Sequence, residues 1–425
     1  MKTFHALAFL FLPAISAAQT LTLEQYRALA LQNNSELRQA QLQADAARQA
    51  ERSAFTGYFP KLSAMGMVAT TNIIPDLSVP YNLGVLGENH PYALSGLTLM
   101  QTLYAGGRVN NGNKLARIGL DAANEQLRMT HDDTVLQAEK KYRALAVLAE
   151  KKKTLAAYTA MVDALYSQVS QAAQQGVATH ADLLRVALKK SQLAAQNAAL
   201  DDGIAIARRD AAIFAGMAQS SSTFEVALDS GEITAPSYDA RQFGARLALR
   251  PEYRLLKANA DAAEKQRKMK NGEHLPTLTV GGALQRIDYM DYSTKTQTSL
   301  GFAFINVPLS DWWGGAHSTN ELELKEKAAG EKLASGADYL VLDMQNRLDA
   351  WRQAYDSATA SKLGVEEATA NESELSDGYK NGTEKLSDYL NALAHSQESR
   401  DKLAEDSAAY FSARTAFKIA VTEME

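Results

Sequence analysis

The chain has 425 residues, 46% hydrophobic and 22% charged, and its 44 Lys and Arg against 49 Asp and Glu leave a net charge of −5. These values exclude a collagen-like or wholly disordered chain, and the acidic balance leaves no footprint for nucleic acid. The absence of cysteine removes a disulfide framework, a thiolate metal site, a Cys nucleophile and a lipidated N-terminal Cys.

Residues 1–18 read as a cleavable export signal. Lys2 supplies the positive start, Ala6 to Ile15 the apolar core, and Ser16-Ala17-Ala18 the small residues before a mature chain beginning at Gln19. That core is too short to cross ~30 Å of hydrocarbon as a helix. Beyond residue 20 no apolar run reaches the length of a spanning helix.

Proline placement divides the mature chain. No proline lies between 92 and 235 or between 309 and 425, and both stretches are rich in strong helix formers. In the first, Leu155, Tyr158, Val162, Leu165, Val169 and Ala172 recur at alternating steps of three and four, the spacing of a coiled-coil seam. A continuous helix over 108–175 would be roughly 100 Å long; shorter helices broken at glycine are the alternative. In the second stretch Trp351, Tyr355 and Ala358 begin the same rhythm, which passes through Lys362 to Val365.

The proline-containing stretches alternate with period two. Leu62, Ala64, Gly66 and Val68 form one candidate strand face, and Leu97, Leu99 and Leu103 a second. Leu278, Val280 and Leu284 form a third, and Leu300, Phe302 and Phe304 a fourth. Runs of about eight to ten residues suit a tilted transmembrane strand and equally a soluble sheet.

An internal repeat joins the two patterns. At an offset of 216, Gln43-Ala-Asp-Ala-Ala47 falls on Asn259-Ala-Asp-Ala-Ala263 and Pro60 on Pro276; at 206, Gly176, Asp182 and Leu184 fall on Gly382, Asp388 and Leu390. The difference lies in the loops between paired strands, near 71–93 and 286–298. The organisation expected is a first repeat over 19–216, a connector over 217–250 containing Ser220-Ser221-Ser222, and a second repeat over 251–425. Each repeat supplies helix, two strands, long helix, tight turn and helix.

Four strands cannot close a barrel, and lipid does not tolerate the two edges left open. Three chains of four strands give twelve, within the range of membrane barrels. The fold class expected is therefore a homotrimeric, 12-stranded barrel with an antiparallel α-helical coiled-coil tunnel. Tyr58, Phe59, Tyr92, Tyr104, Tyr289, Tyr292, Trp312 and Trp313 flank the strands, as an interfacial girdle or as junction packing.

With these elements in this order, the chain resembles the TolC-type outer-membrane factors, the outer membrane efflux protein family. The resemblance rests on Leu21-Thr-Leu-Glu-Gln-Tyr-Arg-Ala-Leu-Ala-Leu-Gln-Asn-Asn34, on the helix-ending Pro60 and Pro276, and on Gln101-Thr-Leu-Tyr-Ala-Gly-Gly107. It also rests on Pro308-Leu-Ser-Asp311 and on the Gly-x5-Asp-x-Leu tips at 176–184 and 382–390. It implies a barrel in the outer membrane, a periplasmic tunnel, and an exit duct for drug efflux or type I secretion. The partners implied are a periplasmic adaptor, an inner-membrane transporter and outer-membrane lipid.

The hairpin tips hold the candidate site. Gly176 and Gly382 can take positive φ and end a helix. Asp182 and Asp388 read as first-turn acids after Thr179 and Ser387. The resemblance adds that Asp182 and Tyr379 occupy positions of a network holding the periplasmic entrance shut, and that Asp388 belongs to a carboxylate ring. Glu384 stands where that network has a basic residue, with Lys380 or Lys385 as candidate replacements, and Asn391 stands for a second ring Asp. No catalytic or cofactor motif appears: the seven histidines lack HExxH spacing and no serine lies in a GxSxG elbow. The competing reading is a soluble periplasmic coiled-coil adaptor or spacer, which calls for a β-domain between its helices longer than 217–250.

Overall fold

The computed structural model describes residues 20–71, 90–217, 224–227, 231–290, 295–309 and 311–423. The expected export signal, most of the first inter-strand loop, residues 291–294 of the second with Tyr292 among them, Ser220-Ser221-Ser222, and the side chains of Tyr289 and Trp312 lie outside that description.

In chain order the elements are β1 (Thr20–Leu21), α1 (Leu23–Asn33), α2 (Ser35–Phe55), β2 (Lys61–Thr71), β3 (His90–Ala105), α3 (Arg108–Gln174) and α4 (His180–Phe214). Then come β4 (Glu225–Val226), α5 (Phe243–Leu247), α6 (Pro251–Glu273), β5 (Thr277–Tyr289), β6 (Lys295–Asn306), α7 (Asp311–Lys380) and α8 (Leu386–Ala420). The chain divides into two compact units. One takes the described residues up to Gln39, Arg128–Arg250 and those from Leu340 onward; the other takes Ala40–Leu127 and Pro251–Tyr339. Each unit therefore draws on both halves of the sequence.

The unit of Ala40–Leu127 and Pro251–Tyr339 contains a four-stranded sheet of order β2-β3-β5-β6, antiparallel throughout. Among the described residues nothing pairs with the outer edge of β2 or of β6. The strands run to 11, 16, 13 and 12 residues, longer than the alternating apolar runs. The extra pairs are polar, such as Arg286 opposite Gln297 and Asp288 opposite Lys295; ladder bonding continues after hydrophobic alternation has stopped. The expected 286–298 loop accordingly narrows to the residues between Tyr289 and Lys295.

A bulge corrects one face. Thr102 pairs with Thr279 and Tyr104 with Leu278, so Leu103 is the extra residue and Tyr104, not Leu103, continues the face of Leu97 and Leu99. That face also carries Leu284, Arg286, Asp288 and Lys295, while Leu300, Phe302 and Phe304 lie on the other with Met65 and Met67. Pro60 and Pro276 each stand one residue before a strand, at Lys61 and Thr277. Phe59 ahead of Pro60 is extended (φ −94°, ψ 155°), as a residue before proline must be. Tyr58, Phe59, Tyr104 and Trp313 are all more than two-fifths exposed.

In the other unit α1 is fixed by its own side chains. Thr22 and Gln25 form a capping box at α1. The buried Tyr26 hydroxyl donates to Ala211 O at 2.8 Å. Asn34 breaks α1 from α2, its Oδ1 accepting from Glu36 N and Leu37 N while its amide donates to Phe214 O. β1 pairs in parallel with β4, and Tyr142 hydroxyl spans both, within bonding distance of Leu21 O and Ala227 O.

The long segments fold as predicted: α3 is one continuous helix of 67 residues. Its seam residues Leu155, Tyr158, Val162, Leu165 and Val169 are all buried, with Val186 and Leu193 of α4 and Leu386 and Leu393 of α8 in the same cluster. The second seam weakens after Ala358: Lys362 is exposed and Val365 only half-buried. There Ser361 donates instead to the buried Asp406 of α8. The described part of the connector packs on α7 and α8, with Tyr238 and Phe243 joining Trp351, Tyr410 and Phe417 in an aromatic core. No described helix is long and apolar enough to cross a membrane.

Candidate functional site

The two hairpin tips use the same backbone bonds 206 residues apart. In the first, Gly176 N donates to Ala173 O, while Val177 N and Ala178 N donate to Ala172 O. In the second, Gly382 N donates to Tyr379 O, while Thr383 N and Glu384 N donate to Gly378 O. Gly176 (φ 74°) and Gly382 (φ 75°) sit at the left-handed position of what is in each case a Schellman ending. A side chain at either position meets open space, so the backbone angle, and not crowding, requires glycine there.

Beyond Gly176, Thr179 caps α4: its Oγ1 accepts from Asp182 N at 3.1 Å and donates to Asp182 Oδ2 at 2.6 Å. Arg185 Nη1 donates to the other carboxylate oxygen at 3.1 Å. Asp182 is thus satisfied within its own helix, in the first turn where the helix dipole favours a negative charge. Tyr379, in the last turn of α7, stacks on Tyr389 of α8 with ring centroids 5.7 Å apart and planes 20° apart. Burial first, and then the negative field of Asp182, raise the Tyr379 phenol above its ordinary range. Asp182 and Tyr379 therefore lie near enough to interact electrostatically.

The second tip is capped differently. The N-cap of α8 is Lys385, which makes no side-chain cap bond, and Ser387 lies inside the first turn. Ser387 Oγ donates to Asp388 Oδ1 at 3.2 Å, and Asp388 N donates to Lys385 O. Glu384 is exposed, its stem folded over Gly378. Lys380 is engaged by Asp377 at 3.2 Å. The cation holding the Asp182 carboxylate is neither lysine but Arg185, a residue the motifs do not single out although its three-residue spacing from Asp182 signals the pair. Tyr389 escapes sequence reasoning as well, because nothing in spacing alone pairs it with Tyr379. Among the described residues no three of His, Asp and Glu gather as a metal ion would need.

Residues 27–213 match the family model described as outer membrane efflux protein. That matched stretch, a little under half of the chain, is similar to the outer membrane efflux protein family. Solved structures share the chain's fold at low identity. The outer membrane protein VceC from Vibrio cholerae has TM-score 0.80 at 15% identity, covering 94% of this chain and 95% of that one. The Campylobacter jejuni CmeC outer membrane channel has TM-score 0.79 at 14% identity, covering 94% and 85%. The open state of the Neisseria gonorrhoeae MtrE outer membrane channel has TM-score 0.76 at 16%, covering 94% and 88%. No curated protein sequence matches. The chain thus carries, in one unit, two tips of like backbone whose carboxylates, Asp182 and Asp388, differ in how they are held.

Proposed function

We propose that this chain is the outer-membrane exit duct of a tripartite efflux pump or type I secretion system, acting without catalysis. It works as a homotrimer whose three four-stranded sheets close a 12-stranded barrel in outer-membrane lipid. The helices of each chain contribute to a periplasmic tunnel that docks, at the tips of Gly176 and Gly382, onto an adaptor and an inner-membrane transporter. The single observation carrying this reading is the sheet whose two edges are unpaired among the described residues and whose apolar side chains are exposed on both faces, Leu62 at 69% and Leu300 at 57% among them. A soluble adaptor would have to cover such edges and faces. In the closed duct, Asp182 and Tyr379 restrain the entrance from the side. Asp388 and Glu384, each repeated three times about the axis, line it with negative charge and favour cations.

The test is reconstitution. Detergent-solubilised protein is expected to migrate as three copies and, added to a planar bilayer, to conduct in discrete steps. A monodisperse monomer that leaves the bilayer silent overturns the reading.

A further inference from the structure

A cleft of about 840 Å³ in the unit that includes α1 and α8 is lined by charges that the channel reading does not use. Its cations are Arg27, Arg143, Arg414 and Lys418; its carboxylates are Glu24, Glu139 and Glu423. Glu139, with 1% of its side chain exposed, serves two guanidinium groups at once, Arg27 at 3.0 Å and Arg143 at 2.8 Å. Glu423 is bonded at 2.5 Å to Arg246, a fifth cation from outside the lining. Arg414 and Lys418 share the rest of the cleft with Glu24, which is itself exposed.

The buried part is positive and incompletely satisfied. Arg143 has 5% of its side chain exposed, lies 4.4 Å over the ring of Phe411, and its Nη1 has no hydrogen-bond partner among the described residues. Nε of Arg27 is likewise buried without one. Among the described residues two buried donors beside one shared carboxylate lack an acceptor, and both residues line a cleft whose rim adds two more cations.

We infer that this cleft binds a small oxyanion, a phosphate or a carboxylate, between the Arg27–Glu139–Arg143 triad and the Arg414–Lys418 rim. The ligand's oxygens supply the acceptors that the triad lacks, and planar guanidinium groups suit phosphate or carboxylate geometry. The inference stands apart from conduction, and its readout is thermal stability.

The experiment uses the full chain in detergent. Inorganic phosphate and, separately, citrate are titrated at ionic strength held constant with chloride, and the unfolding midpoint is followed by circular dichroism. A ligand of the folded state raises the midpoint saturably. Response to phosphate, citrate or both identifies the oxyanion class, and Arg414→Gln with Lys418→Gln is expected to abolish the rise. No rise beyond the chloride control, or the same rise in the double variant, overturns the inference. Should the double variant fail to fold, Lys418→Gln alone is expected to shift the half-saturating concentration upward several-fold, and an unchanged concentration is equally fatal.

Discussion

Arg185 holds the Asp182 carboxylate at 3.1 Å across one turn of α4, while the field of that same carboxylate reaches Tyr379 on α7. Beside that carboxylate the Tyr379 phenol stays neutral and able to donate a hydrogen bond to it, and in the proposed duct the restraint between neighbouring hairpins runs through this pair. Tyr379→Phe combined with Asp182→Ala is expected to raise open-channel conductance. Arg185→Gln alone, which frees the carboxylate without removing it, is expected to leave conductance closer to the parent. Equal conductance in all three proteins would remove the pair from the gate.

Both glycine tips offer a second test. With φ near +75° at Gly176 and Gly382, a β-branched replacement costs about 1–2 kcal/mol at the turn. Gly176→Val and Gly382→Val are expected to lower export while detergent-solubilised trimers persist. Undiminished export in both variants contradicts docking at the tips.

A ring of three Asp388 carboxylates repels itself modestly. At an assumed ~10 Å separation and a dielectric of ~20–80, each pair costs roughly 0.4–1.7 kcal/mol, and salt reduces this further. Asp388→Asn, Glu384→Gln and the two together are expected to reduce cation preference progressively, read from reversal potentials in a salt gradient. Unchanged reversal potentials in the double variant would leave these acids as helix-end residues only.

Acid stability turns on Asp343 of α7. Burial alone would raise its pKa, but hydrogen bonds from Arg250 and Arg347 outweigh it and hold the carboxyl below its ordinary value. A depressed folded-state pKa contributes stability above the unfolded value near ~3.9 that is lost as pH falls through the folded value. Asp343→Asn is therefore expected to be less stable at pH 7, by about 1–2 kcal/mol given its partial exposure. The difference should shrink below about pH 4, as measured by denaturant unfolding.

Much of this fold is legible in sequence because it is periodic. The seam from Leu155 to Val169 has one buried face and no breaker, so its spacing alone reports a helix. Strand ends are harder: Arg286, Asp288 and Lys295 pair through backbone bonds that hydropathy does not see, and the bulge at Leu103 is a backbone event with no residue signature. The capping box of Thr22 and Gln25 is readable from its spacing. The anchors made by Tyr26 and Asn34 are not, since Ala211 and Phe214 lie 185 and 180 residues away. At the tips, positive φ at Gly176 and Gly382 and the cap at Thr179 follow from residue type. That Lys385, not Ser387, starts α8 depends on one turn chemistry that residue type leaves open.

Closure of the free edges of β2 and β6 on further copies of the same chain underlies every proposal about the duct. The chain has no cysteine, so introduced pairs report without background. Within one sheet these edges are separated by two strands, about 14 Å at ~4.8 Å per strand, beyond the ~7 Å Cα reach of a disulfide. We would combine Ser63→Cys on β2 with Thr296→Cys, Thr298→Cys, Leu300→Cys or Phe302→Cys on β6 and oxidise intact outer membranes. At least one pair is expected to yield a covalent species of three chains that reverts to monomer on reduction. Monomer alone across every pair would contradict edge-to-edge closure.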